Sequence, residues 1–172
     1  ALLCVALVNS ISNIASSACL SNMDVVPIWV NHVLLYVFSF SEVITSMLFI
    51  YYVYVACDIP KGKSRVFRRV ADIFVLVFSV MLVTNPWMHS LFYFENGVYH
   101  RGWGIVFGYW YTILSIALTL CMVATAGKHV VQGTQLVVGT YGVVACVAIL
   151  IQLIRGDILL SGTANATLLL CM

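Results

Sequence analysis

The sequence predicts an all-α, polytopic transmembrane helix bundle of about six spans, and three observations carry that expectation. Of 172 residues, 63% are hydrophobic and only 8% are charged, where a soluble domain carries roughly a quarter charged residues. The apolar residues gather into long runs separated by short polar or proline-bearing links. A hydrocarbon core of about 30 Å takes roughly 20 apolar residues per helix, so a chain of this length holds at most about six spans and no second domain. The formal charge of +2 is too small and too scattered to neutralise a run of phosphates, which excludes nucleic acid as a partner and leaves the lipid bilayer.

The first run, about Ala1 to Leu20, carries Asn9, Asn13 and Ser16 at helical spacing, so one face can hydrogen-bond to other helices while the opposite face meets lipid. A polar link, Ser21 to Asp24, ends at Pro27. The second span, about Ile28 to Tyr54, is longer than a bilayer needs, which predicts tilt or protrusion. After it comes a basic loop, Lys61 to Arg69, with five of the eight Lys and Arg residues. The third span, about Val70 to Val83, is expected to stop at Thr84-Asn85-Pro86, because proline breaks the amide ladder.

A polar-aromatic loop from Asn85 to Gly102 follows, with Trp87, Phe92, Tyr93, Phe94, Tyr99 and Trp103 forming a belt at headgroup level. The fourth span covers about Gly104 to Ala126, the fifth about Gln135 to Ile154, and a sixth begins near Ile158. The loops after spans two and four hold six Lys and Arg residues and the opposite side holds two, Arg101 and Arg155. That asymmetry puts the basic loop in the cytoplasm, the Asn85 to Gly102 loop outside and the chain's C-terminal end in the cytoplasm. Ala1 and Met172 both fall inside apolar runs, so the chain reads as a piece of a longer protein.

Glu42 is the most informative residue. In mid-span an ionised carboxylate costs roughly 3 kcal/mol or more unless it is paired, hydrated or protonated. Asn31, Ser39, Glu42 and Ser46 fall within one helical arc. Two readings stand side by side: a ligand or proton site, or an interhelical hydrogen bond. On the fourth span, Gly108, Thr112, Ser115 and Thr119 make a small, hydroxyl-bearing face suited to close packing. The six cysteines form no C-x-x-C pair and read as small core residues. His32, His89, His100 and His129 fit no metal-ligand spacing, and His129 falls on the other membrane side from His89 and His100. No lysine lies in mid-span for a retinal Schiff base, and no nucleotide-binding or acyl-transfer motif is present. The sequon Asn165-Ala166-Thr167 lies within the sixth apolar run and reads as chance.

The stretch Leu82-Val83-Thr84-Asn85-Pro86, followed by Leu91-Phe92-Tyr93-Phe94-Glu95-Asn96-Gly97-Val98-Tyr99-His100-Arg101-Gly102, resembles the external loop of bacterial membrane regions that precede GGDEF diguanylate cyclase domains. It is similar as well to the seven-helix amino-terminal region of some histidine kinases, whose T-N-P-x-x-H-like turn is matched by Thr84, Asn85, Pro86 and His89. The Pro27-x-Trp29 approach to the second span extends the resemblance, as does the order of spans. The resemblance implies a sensor in the bacterial cytoplasmic (inner) membrane, working as a homodimer, that passes a small-molecule or peptide signal to a cytoplasmic domain making cyclic di-GMP from two GTP. The G-G-[DE]-E-F block itself is absent from these residues, so no catalytic residue and no cofactor is assigned to this chain. The signal-sensing candidates are Asn31, Ser39, Glu42 and Ser46 on the second span, and Asn85, His89, Tyr99, His100, Arg101 and Trp103 in the loop. A histidine-kinase output, a small-molecule transporter or channel, and a scaffolding subunit are the alternatives; paired discontinuous helices would mark the transporter.

Overall fold

The computed structural model describes residues 2–57, 61–95, 97–126, 132–154 and 166. Five helices and one β-hairpin follow in the order α1 Leu2–Leu20, α2 Ile28–Ala56, α3 Lys61–Met88, β1 Phe92–Glu95, β2 Val98–Arg101, α4 Ile105–Ala126 and α5 Gln132–Ile154. Each helix contains a segment long and apolar enough to cross a membrane. The chain is a multi-pass helical bundle with five such helices among the described residues, where the sequence led us to expect about six. The sixth run, from Ile158, lies outside the described residues except for Ala166.

Helices are what these apolar runs must form, because in hydrocarbon every backbone N–H and C=O needs a partner within its own segment. At the end of α1 the last carbonyls are met by side chains, Ser21 Oγ donating to Ser17 O (2.9 Å) and Asn22 Nδ2 to Ala18 O (2.8 Å). Pro27, with φ −58°, stands at the start of α2, where its missing N–H costs no ladder bond. At 29 residues, α2 is about 43 Å long. It packs against each of the other four helices.

Polarity in the bundle is reversed relative to a soluble protein. Asn9, Asn13, Ser16, Asn31, Thr45 and Thr119 are buried, while Leu7, Ile14, Leu76, Val83, Leu136 and Val143 are exposed. Around hydrocarbon this is the arrangement of lowest free energy, since lipid accepts apolar side chains as readily as a core does and offers polar groups no partner. The same physics corrects the reading of the cysteines. Cys57 is in the core, but Cys4, Cys121 and Cys146 face outward. An apolar side chain here carries no preference for the inside.

Two further expectations are corrected. The basic segment Lys61 to Arg69 is not a loop; it forms the first turns of α3, since Lys and Arg are good helix formers and Gly62 alone does not stop a helix. Pro86 does not end the third span either, and lies inside α3. Nearby hydroxyls donate to the carbonyls just before Leu82 O, the one that Pro86 leaves without its amide donor: Thr84 Oγ to Val80 O (2.8 Å) and Ser90 Oγ to Met81 O (3.2 Å).

Two apolar clusters fill the interior. One gathers Phe49, Ile50, Val53, Met122, Val138 and Tyr141 from α2, α4 and α5. The other gathers Leu35, Val43, Phe78, Leu82, Leu91 and Phe92 toward the hairpin end. The small-residue face of α4 packs as expected: a side chain at Gly108 would press on Phe78 of α3, and the hydroxyls of Thr112, Ser115 and Thr119 bond to carbonyls of their own helix.

Candidate functional site

Strands β1 and β2 pair antiparallel, Phe92 with Arg101, Tyr93 with His100, Phe94 with Tyr99 and Glu95 with Val98. Between them Gly97 takes φ +80°, a conformation that only glycine adopts without steric cost. The bond from Gly102 N to Leu91 O (2.9 Å) sets the phase of the ladder. Phe92 and Arg101 are a non-hydrogen-bonded pair, so the N–H and C=O of Phe92 point away from β2.

Asn85, near the end of α3, captures that free edge. Its Oδ1 accepts from Leu91 N (2.6 Å) and Phe92 N (3.2 Å), and its Nδ2 donates to Phe92 O (3.0 Å) and to the Tyr36 hydroxyl of α2 (3.4 Å). A carboxamide has two acceptor sites and two donors, and all four are used. Asn85, 1% exposed, thus acts as an extra strand residue that binds the hairpin to the bundle. His89 makes the reversal between them possible. It sits at φ +50° just after α3, its N–H bonded to Asn85 O (2.9 Å), in a helix-ending position more often given to glycine or asparagine. Close approach is required at Gly102, where a β-carbon would run into the carbonyl of Ser90.

The hairpin has two unlike faces. Toward the bundle, Phe92 lies against His32 and Tyr36 of α2 (ring centroids 5.9 and 5.1 Å), and Phe94 against His32 (4.7 Å). Tyr99 pairs edge-on with Phe94. On the opposite face the rings of His89, Tyr93 and His100 form a continuous stack, with centroids 5.3 and 5.1 Å apart. The belt expected from the sequence therefore divides. Trp29, Trp87, Trp103 and Trp110 lie toward this end and face outward, while Phe92, Phe94 and Tyr99 turn inward as a plug.

Beneath the plug is a cavity of about 100 Å³, room for a few waters or one small molecular group. Its walls come from α2, α4 and α5, with Phe78 of α3 at the side and Leu91, Phe92 and Tyr99 of the hairpin segment at the end. Residues of both apolar clusters line it, and the polar groups are few: Ser39, Glu42, Tyr109, Tyr111, Thr112 and Gln152 among them. Glu42 lies near enough to the Tyr111 and Tyr141 phenols for its charge to bear on both. The Tyr111 hydroxyl is buried on this wall, with the Ser115 side chain beside it. At the hairpin end Arg101 Nη1 donates to the Tyr109 hydroxyl (3.1 Å) and to Gln152 O (3.3 Å), tying the hairpin to both α4 and α5. Burial pushes the Tyr99 hydroxyl pKa up from its ordinary value, against the lowering influence of the Arg101 guanidinium.

The structure brings together Ser39, Glu42 and Tyr99 on the cavity wall, with Arg101 bonded to two of its lining residues. Ser46 is buried one turn further along α2, within reach of the Tyr141 hydroxyl. Asn31 is buried away from the cavity lining. His89 and Trp103 are exposed and His100 half-exposed, all outside the cavity lining. Among the described residues no three His, Cys, Asp or Glu side chains converge as a metal site. Sequence reasoning missed Tyr109, Tyr111, Tyr141 and Gln152, single polar groups on apolar helices with no motif around them. It also read the hairpin as a loop, although Asn96-Gly97 between two aromatic tetrapeptides is the strongest short-range hairpin signal. No family model, no curated protein and no solved structure matches the chain.

Proposed function

We propose that this chain is the membrane-embedded sensory region of a bacterial signalling protein, and that its signal is a small molecule received in the capped cavity. The supporting observation is the cavity itself: an apolar chamber holding one carboxylate, Glu42, and closed at one end by a hairpin that the fold clamps in place. A ligand there touches α2, α4, α5 and the hairpin together. Through Arg101, which links the hairpin to α4 and α5, a change in hairpin position becomes a change in helix arrangement. Such a ligand needs to favour one arrangement by about 1.4 kcal/mol to shift an output equilibrium tenfold.

The basic first turns of α3 lie at the opposite end of the bundle from the hairpin, which supports a cytoplasmic position for that end and an external one for the hairpin. The resemblance to GGDEF-associated regions supplies the output, a cytoplasmic diguanylate cyclase acting as a dimer in the inner membrane. The test is cyclic di-GMP production by membranes carrying the full-length protein. Glu42→Gln and Arg101→Gln are expected to insert normally and to change production severalfold. Unchanged production in both variants across growth conditions refutes the reading, and a coding sequence without a G-G-[DE]-E-F block beyond residue 172 refutes the assigned output.

A further inference from the structure

A groove of about 350 Å³ runs along the outside of the bundle between α2, α3 and α4. Its α2 wall, Met47 to Tyr54, covers about 10 Å of the helix and lies in the half remote from His32 and Tyr36, which the hairpin covers. The floor is apolar and closed, since Ile50, Ala71 and Met122 are all buried. The rim is open, with Met47 and Tyr51 facing outward. One charged residue borders it: Asp72 of α3, which is exposed. The membrane-crossing segment of α3 begins at Arg69, so Asp72 lies about 4.5 Å inside it, where a carboxylate needs an opposite charge or water. Arg69 is exposed as well, and residues three apart are neighbours on a helix surface.

These two charges decide between occupants. A bare acyl chain suits the floor and answers neither charge. An anionic phospholipid answers Arg69 and is repelled by Asp72. A choline headgroup brings a positive charge but no N–H for the carboxylate. A phosphoethanolamine headgroup answers both: its phosphate suits the forked N–H donors of a guanidinium, and its ammonium has three N–H donors for a carboxylate. We propose that this groove binds phosphatidylethanolamine. The ammonium lies on Asp72 and the phosphate on Arg69, with one acyl chain along Ile50, Ala71 and Met122 toward Met47. The site requires only that the helices cross a bilayer, and it is independent of the sensory role.

The experiment titrates the full-length protein in detergent with dioleoyl phosphatidylethanolamine, phosphatidylcholine and phosphatidylglycerol, and counts bound lipid by native mass spectrometry. Identical acyl chains leave the headgroup as the variable. The ethanolamine lipid is expected to bind roughly tenfold more tightly than the choline lipid, the lower end for a hydrogen bond to a charged group. Asp72→Asn is expected to remove most of that preference. Arg69→Gln is expected to weaken all three lipids roughly tenfold, because all carry the phosphate. Both side chains are exposed, so neither change disturbs the packing. Met47→Trp, which fills the deep end of the groove from its open rim, is expected to weaken all three and to keep their order. Equal affinity for the ethanolamine and choline lipids, tightest binding of the glycerol lipid, or a preference undiminished in Asp72→Asn overturns the proposal.

Discussion

Replacing Asn85 by alanine isolates the element on which the capped cavity depends. The substitution removes four hydrogen bonds and leaves the N–H groups of Leu91 and Phe92 and the C=O of Phe92 without partners. Leu91 and Phe92 are each 3% exposed, so water cannot replace Asn85 while the hairpin stays docked. An orphaned buried backbone group costs about 1–3 kcal/mol. Three such groups give at least about 3 kcal/mol, and the Tyr36 hydroxyl, half-buried and at the longest of the four distances, adds little. The cheaper course for the chain is to release the hairpin and hydrate the groups. The docking equilibrium should then fall by at least roughly 100-fold. Amide hydrogen exchange of the full-length protein in nanodiscs reads this directly: protection at residues 91 to 101 should drop by that factor, while mid-span amides of α2, α4 and α5 stay protected. Asn85→Asp, which keeps the acceptor and loses both donors, should fall between the two. Protection in Asn85→Ala within threefold of the parent protein would refute the clamp.

Other substitutions test neighbouring arguments. Gly102→Ala drives a β-carbon into the Ser90 carbonyl and should release the hairpin as Asn85→Ala does, whereas Gly97→Ala, strained only by its φ of +80°, should cost about 1 kcal/mol; ranking the two by hydrogen exchange in the reverse order contradicts the packing. Asn9 bonds from α1 to Phe38 O (3.2 Å) and Ser41 Oγ (3.0 Å) of α2, so Asn9→Leu should lower stability by about 1 kcal/mol. Asn31, 1% exposed with both amide atoms unpartnered, should behave oppositely, and Asn31→Leu should leave the unfolding midpoint unchanged or raise it. A clear fall in the midpoint of Asn31→Leu would disprove that description. Burial raises the Tyr99 pKa above 10, which favours the neutral phenol in the folded state; its contribution to hairpin stability is complete below about pH 10 and is lost as the pH rises through the higher folded value. Tyr99→Phe should abolish that alkaline loss, and a Tyr99-dependent loss already complete by about pH 9 would contradict it.

Composition and hydropathy were enough to determine that this chain is a bundle of helices long and apolar enough to cross a membrane and, within a few residues, where α1, α2, α4 and α5 run. The reason is that hydrocarbon leaves the backbone a single option, so an apolar run of sufficient length is a helix whatever its neighbours are. Glu42 was legible for a related reason, since a mid-span carboxylate stands out against a background of apolar residues. What the sequence did not decide is which way each apolar side chain faces. Inside and outside are equally apolar in a bilayer, so Cys57 in the core and Cys121 on the surface look alike in one dimension. Phe92 in the plug and Trp87 on the outer face are likewise indistinguishable there. Pro86 and the basic turn of α3 were misjudged because local propensity was weighed without the continuous helix of which both are part. The cavity belongs wholly to the tertiary structure. It is lined by Glu42, Tyr111 and Tyr141 of α2, α4 and α5, the two tyrosines roughly 70 and 100 positions from Glu42 along the chain, and Asn85 holds a hairpin across its end. Contacts of that sequence separation are set by packing alone, and no local pattern encodes them.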